Sequence, residues 1–380
     1  MDSVLTREQK RDLLQRGFTR RNFGRIAAMI TAGATLPFYN EPALAQLSAR
    51  DIPPDAVKID ANENPLGPCA EAAEAIHKVV ANGGRYMFSE TSKLRELMAE
   101  QEGLKASYVS PFAGSSAPLH QAVISFTGPD RPFVTADPGY EAGERAAQYI
   151  GAKVIRVPLT KSYAHDVKAM AAASPNAGLI YICNPNNPSG TSTPRADIEW
   201  LVENKPKGAV ILLDEAYIHI SGDQMGSDFV AKDKDVIILR TFSKIYGMAG
   251  IRAGGAFGRP DLLSKVTGHS AGALPVTGVV AAIASLKSKT VVPERRKIIG
   301  DIRNDVFAWM DKHHFQYVPS MSNKFMVDVK RPGRQVMDAM LKEKVSIGRV
   351  WQSWPTHVRI TIGTREEMEK FKTAFLKVMA

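Results

Sequence analysis

The residues best suited to chemistry lie in Arg240-Thr-Phe-Ser-Lys-Ile-Tyr-Gly-Met-Ala-Gly-Ile-Arg252. One lysine, Lys244, stands among small and hydroxylic residues just after an apolar, β-branched run, Val236-Ile-Ile-Leu239. Desolvating an ammonium at the end of a buried strand is costly, and the usual escape is a depressed pKa. Such an amine is a nucleophile for carbonyl carbon. Thr241, Ser243 and Arg252 nearby are donors suited to a phosphate. A nucleophilic lysine beside a phosphate cradle suggests pyridoxal phosphate, its aldehyde carbon held by Lys244. A lone Ser-Lys pair at a strand–loop junction is more often a plain solvated lysine, so the rest of the chain must decide.

A pyridine ring used as an electron sink needs a carboxylate beside its nitrogen to keep that nitrogen protonated. Asp214, at the end of the apolar run Val210-Ile-Leu-Leu213, is placed for this, although Asp there also serves as a helix cap. Asn187 and Tyr217 could hydrogen-bond the phenolic oxygen of the ring; a turn asparagine and a packed tyrosine are the plainer alternatives. Tyr140, in Pro138-Gly-Tyr-Glu141, could stack on the ring face. Ala113-Gly-Ser-Ser-Ala-Pro118 runs into an apolar helical stretch, and backbone amides at such a start suit an anion. That turn matches no nucleotide-binding glycine pattern, and an ordinary helix cap is the alternative. Lys244 would also carry the proton between the substrate α-carbon and the cofactor.

The elements that must position these residues follow from apolar patterning. Pro132–Ala136, Lys153–Val157, Leu179–Cys183, Val210–Leu213 and Val236–Leu239 read as strands, with Ala253–Phe257 as a sixth. Continuous apolar runs separated by helices argue a mostly parallel sheet covered on both faces. Ligands gather at the carboxyl ends of such strands. The loops after Cys183, Leu213 and Leu239 carry the polar residues named above, and their convergence on one sheet edge outweighs any single motif. Ahead of the strands, Pro68 opens a helix with Ala72, Ile76, Val79 and Val80 at helical spacing, stopped by Asn82-Gly83-Gly84. Beyond about Thr277 a long amphipathic helix from Val292 to Asp311 precedes short strands at Lys324–Asp328 and His357–Gly363, and a terminal helix begins at Glu366. These predict a large α/β domain over 81–290 and a smaller α+β domain over 291–380, joined by an arm at 46–80.

The chain has 380 residues, 44% hydrophobic and 23% charged, as in an ordinary globular protein. Its net charge is +10, without the basic–aromatic interleaving or zinc-finger spacing that would argue nucleic-acid binding. An anionic substrate suits the charge better. Cys69 and Cys183, the two cysteines, make neither a disulfide framework nor a metal cluster. Residues 1–45 follow signal-peptide order: Arg20-Arg21 with Phe23, then an apolar stretch Ile26–Leu36, then Ala43-Leu44-Ala45. The apolar stretch is too short to anchor the chain stably in a bilayer. The paired arginines resemble the twin-arginine export signal, which implies export of a folded protein to the periplasm; a retained basic amphipathic helix, leaving the chain in the cytoplasm, is the alternative.

The quoted pieces, taken with Asp60-Ala-Asn-Glu-Asn-Pro-Leu-Gly67, Arg85-Tyr86, Asn186-Asn-Pro-Ser-Gly190 and Val358-Arg-Ile-Thr-Ile-Gly-Thr364, resemble the fold-type I, class I/II aminotransferases, and within them the histidinol-phosphate aminotransferase branch. The resemblance runs from about Lys58 to the end. It implies the fold-type I architecture, with a mostly parallel seven-stranded sheet in the large domain, and transfer of an amino group to a 2-oxo acid such as 2-oxoglutarate. The amino donor would be histidinol phosphate-like or aromatic. It further implies Lys244 as the cofactor lysine, Asp214 at the ring nitrogen, and Asn187 and Tyr217 at the phenolic oxygen. Ser115, Ser116, Ser243 and Arg252 would hold the cofactor phosphate, joined by Tyr86 from a second subunit of a homodimer. Arg359, Arg349 and Asn64 would face the substrate. The chain departs from the branch at Met87-Phe88, where Pro-Asp is usual, and at Ser115-Ser-Ala-Pro118, where an acidic pair follows the glycine. A decarboxylase or lyase on the same fold is the alternative reaction. A non-catalytic binding module of this fold is disfavoured by the presence of Lys244, Asp214 and Asn187 together.

Overall fold

The computed structural model describes residues 6–19, 52–268 and 273–380. The expected signal segment falls largely outside them, including Arg20, Arg21 and the apolar stretch. The strands, in chain order, are β1 (Val57–Ile59), β2 (Val109–Phe112), β3 (Phe133–Asp137), β4 (Val154–Pro158), β5 (Leu179–Cys183) and β6 (Val210–Asp214). They continue as β7 (Val236–Thr241), β8 (Gly254–Gly258), β9 (Gln316–Val318), β10 (Lys324–Asp328), β11 (Val345–Ile347) and β12 (His357–Thr361).

Seven strands form the main sheet in the order β2-β8-β7-β6-β5-β3-β4. All run one way except β8, which is antiparallel to both neighbours. Every residue of β5, β6 and β7 is buried, as continuous apolar runs require of strands covered on both faces. One side is covered by the helix Ser116–Phe126, largely apolar and, except for Gln121, buried from Pro118 onward. The helix Val276–Lys287 packs against Ala70–Val80 and Phe88–Gln101.

Smaller sheets complete the chain. β9, β10 and β12 make an antiparallel sheet with β10 central, and β1 pairs in parallel with β11. That pairing ties residues near the start of the described core to its last hundred and places Asn62 and Asn64 beside the C-terminal sheet. The long helix spans Val291–Lys312 and the terminal helix Arg365–Met379, the latter opened by a capping box between Thr364 and Glu367.

Residues 6–19 carry a helix, Arg7–Gln15, with its own capping box between Thr6 and Gln9. Leu13 and Phe18 are buried, and Arg16 donates to the Thr127 carbonyl at 2.9 Å. The stretch preceding the paired arginines thus packs on the large domain.

A buried ion network ties β7 to its surroundings. Arg240 meets Glu215 at 2.7 Å, pairs also with Glu102 at the end of the helix Phe88–Gln101, and donates to Ser227 at 3.0 Å. Removing one partner of such a network leaves uncompensated buried charge at a cost of about 3–5 kcal/mol. Arg240→Met is therefore expected to lower the unfolding free energy measured by urea titration by that amount. A loss below about 1 kcal/mol, typical of exposed pairs, would contradict the buried network.

Candidate active site

The carboxyl ends of β3, β5, β6 and β7 open on one cavity of about 650 Å³ measured to its mouth. Polar residues stand at or just beyond the carboxyl ends of these apolar runs. Tyr140 comes from the loop after β3, Asn187 from the loop after β5, Asp214 from the last position of β6, and Tyr217 from the turn beyond it. Thr241 ends β7, with Ser243 and Lys244 behind it; Ser115 and Ser116 open the helix after β2, and Arg252 precedes β8. All of these line the cavity.

Lys244 is buried, and its Nζ donates to the Asn62 carbonyl at 2.9 Å. Asp214 is buried on the same wall; Oδ2 accepts from the Tyr181 hydroxyl at 2.8 Å and Oδ1 from the Ala216 amide at 3.1 Å. Burial nevertheless pushes its carboxyl up to about 6, against the pull of those two bonds and of Lys244. A proton-bearing ring nitrogen there would supply a charge partner for this carboxylate.

The opposite end of the cavity is built for an anion. Arg252, at φ 68°, donates to Ser243 Oγ at 3.3 Å and to the Ala249 and Ala113 carbonyls at 2.8 and 3.1 Å. Burial pulls its guanidinium below the usual value, as expected where no negative charge compensates it. Gly114, at φ 90°, lies so close that a Cβ would sit 2.3 Å from Arg252 Nη2. The next residue, Ser115, makes no capping bond with its side chain. The Thr241 hydroxyl donates to Ser243 Oγ at 2.8 Å and accepts from the Ser243 amide at 3.1 Å, fixing that turn. Phosphate at one end, a carboxylate for a ring nitrogen at the other, and a lysine amine on the wall fit the donor set that pyridoxal phosphate needs.

The four remaining residues named from the sequence lie apart from the cavity lining. Arg359, on β12, is completely buried and donates to Asn187 Oδ1 at 3.0 Å and to the Asp60 carbonyl. Arg349 pairs with Glu141, next to Tyr140, at 3.1 Å, and its guanidinium sits 4.8 Å from the Trp351 ring. Asn64 uses its side chain on the protein, donating to the Ile245 carbonyl at 3.0 Å and accepting from the Leu66 amide at 3.2 Å. Tyr86 is 73% exposed and stacks on Phe88, away from its own chain's cavity.

Three contributors escaped the sequence reading. Tyr181 lay inside an apolar strand and read as core. Lys324 read as the first residue of a strand. Asn62 lay inside the quoted Asp60–Gly67 stretch without a role; at φ 54° it donates to the Tyr217 hydroxyl at 3.1 Å and exchanges hydrogen bonds with Thr361. A left-handed asparagine in a polar turn was the available signal for that residue.

The profile of the family described as aminotransferase class I and II matches residues 54–375. A histidinol-phosphate aminotransferase of Moorella thermoacetica is 32% identical over 334 residues, covering 86% of each chain. An aromatic amino acid aminotransferase of Cutibacterium acnes is 30% identical over 322 residues, covering 83% of this chain and 90% of that one. The solved structure of histidinol-phosphate aminotransferase from Sinorhizobium meliloti, in complex with pyridoxal-5'-phosphate, shares the fold at a TM-score of 0.78 and 24% identity, covering 100% of this chain and 99% of that one. With its profile spanning the whole described core and its cavity furnished as above, the chain belongs to the class I and II aminotransferases.

Proposed function

We propose that this transaminase works with pyridoxal phosphate on Lys244, taking an amino group from a histidinol phosphate-like or aromatic donor and passing it to a 2-oxo acid such as 2-oxoglutarate. The observation that carries the reading is the placement of Lys244, Asp214 and the Arg252–Ser243–Ser115 cradle on one cavity. The bound cofactor supplies an electron sink for the substrate α-carbon. The chain's own residues do the rest. Lys244 Nζ, held by the Asn62 carbonyl, is the group that moves the proton at the α-carbon. Asp214, oriented by Tyr181, holds a proton at the ring nitrogen. Arg359, seated against Asn187, offers a planar fork to the substrate carboxylate.

Within the donor class, the pairing of Arg349 favours an aromatic side chain. Its guanidinium is paired with Glu141 and lies beside Trp351, a ring that Arg359 also approaches at 5.5 Å. A donor phosphate would have to displace Glu141 from Arg349, whereas an uncharged ring would not. Tyr86, exposed on one chain, fits the reading of a homodimer in which it serves the partner's cofactor phosphate. Export through the twin-arginine route is the accompanying proposal for location.

Single amino donors added to protein loaded with pyridoxal phosphate should convert its visible absorbance to the pyridoxamine form. Aromatic amino acids are expected to do so faster than histidinol phosphate, and the reverse order would overturn the role given to Glu141. Release of carbon dioxide in place of a 2-oxo acid would favour the decarboxylase alternative. Lys244→Ala should lose both the lysine-bound visible absorbance and turnover; absorbance that persists would remove Lys244 from its role.

Asp214 gives a prediction for the cofactor-free chain. With the folded carboxyl raised to about 6 from 3.8, its favourable contribution is complete below about pH 4 and is lost as pH rises through 6. The stability of Asp214→Asn relative to the unsubstituted chain should therefore rise by about 2 kcal/mol between pH 4 and pH 8. Equal urea midpoint differences at the two pH values would refute the buried, unassisted carboxylate. For location, replacing Arg20 and Arg21 by lysine should leave the protein in the cytoplasmic fraction of an exporting bacterium. Undiminished periplasmic protein would rule out the twin-arginine route.

A further inference from the structure

A second buried lysine packs behind Tyr217, a residue of the active-site lining. Lys324, at the start of β10, has no exposed surface, an uncommon and costly position for an ammonium. Its Nζ donates to Ser322 Oγ at 2.9 Å and lies 3.1 Å from the centre of the Tyr217 ring. Lys244 Nζ lies 5.6 Å from the same ring. The Tyr217 ring thus lies within reach of both lysine nitrogens, and within cation–π distance of Lys324 above all. Lys324 faces Thr361 across the β10–β12 ladder, and Met326 faces Arg359, so Lys324 and Arg359 share one side of the small sheet. Arg359 reaches Asn187 from that side, which turns it toward the cavity. The charge of Lys324 also acts on Cys183, opposing the burial that pushes the thiol up.

A positive charge against a phenol ring favours the phenolate and so strengthens the hydroxyl as a hydrogen-bond donor. The Tyr217 oxygen accepts from Asn62 Nδ2, which orients the hydroxyl proton toward a second partner. Resting on the assignment of Lys244 as the cofactor lysine, we propose that Lys324 is a positioning residue acting through Tyr217. Its ammonium strengthens the Tyr217 hydroxyl as donor to the cofactor's phenolic oxygen, and the nitrogen joining Lys244 to the cofactor then releases its proton to solvent at lower pH. Asp214 from β6, Cys183 from β5 and Tyr140 after β3 line the same cavity, Asp214 adding a charge to this titration and the other two neutral dipoles. Glu63 after β1, Arg252 ahead of β8 and Arg359 on β12 complete the surrounding set.

The test is a pH titration of the visible absorbance of the full chain loaded with pyridoxal phosphate. Lys324→Met should raise the midpoint by about one pH unit, a tenfold change in proton affinity. In a Tyr217→Phe background the same substitution should move it by less than about a third of that. Lys324→Arg, which keeps the charge and guards against misfolding of the methionine variant, should stay close to the unsubstituted midpoint. An unchanged midpoint in Lys324→Met, or an equal shift in both backgrounds, would overturn the proposal. A shift of a full unit in Lys324→Arg would do so as well. Absence of the visible band in the unsubstituted chain would instead overturn the assignment of Lys244, so the two failures are distinguishable.

Discussion

The burial of one carboxylate, Asp214, is the constraint around which the site is arranged. It stands at the last position of a strand with no exposed residue, where water cannot solvate it. Tyr181 and the Ala216 amide supply one hydrogen bond to each oxygen, and the carboxyl still sits near 6. A neutral donor offsets only part of what water would give an ion. The residual imbalance is stability the folded chain forgoes, and a cation held at the ring position would restore it. Strain of this electrostatic kind belongs at functional sites, where the surrounding structure overrides local preference.

The next residue is also a buried acid whose carboxyl burial raises, but it has a full charge partner. Glu215 is as buried as Asp214, yet it receives the Arg240 guanidinium, with Arg240 itself bridging to Glu102. Adjacent side chains on a strand point to opposite faces, so the arginine serves one face and leaves the other uncompensated. Had the strand slipped by one residue, the arginine would meet the wrong carboxylate. The parallel ladder of β5, β6 and β7, buried throughout, is what holds that register.

The sequence made the central strands legible because a strand covered on both faces must be apolar without interruption. Leu179–Cys183 and Lys324–Asp328 occur with the bounds that their patterns imply, and the other central runs end within two residues of them. Four strands were not read. β2, Val109-Ser-Pro-Phe112, contains a proline and lies at the sheet edge, where its missing amide is tolerated. β1, β9 and β11 are three residues each, too short for any alternation to show. Lys244 and Asp214 were legible because polar residues at or just past strand ends conflict with the apolar runs before them, and Arg252 because it is a phosphate donor close to Lys244 in sequence. Tyr181 was not, because its ring satisfies the apolar pattern and only its hydroxyl does chemistry. The cavity also rests on contacts that pattern does not encode, such as the Asn62 amide group meeting Tyr217 across 155 residues.

Those long-range contacts divide the site into two kinds of parts. Ser115, Ser243, Lys244 and Arg252 are set by loops on the seven-stranded sheet, each a few residues from a strand, and Asp214 by the end of β6 itself. Arg359, Lys324, Asn62 and the Arg349–Glu141 pair depend instead on how β1, β10, β11 and β12 lie over that sheet. A change in the small sheets would leave the cradle and its carboxylate in place while altering which substrate carboxylate or side chain is accepted. The aromatic cluster of Trp351, Tyr163 and Trp354 packs on the second set. Trp351 also donates to the Gly139 carbonyl at 2.8 Å, beside Tyr140, so the second set is tied to the loop after β3 by this hydrogen bond and the neighbouring Arg349–Glu141 ion pair.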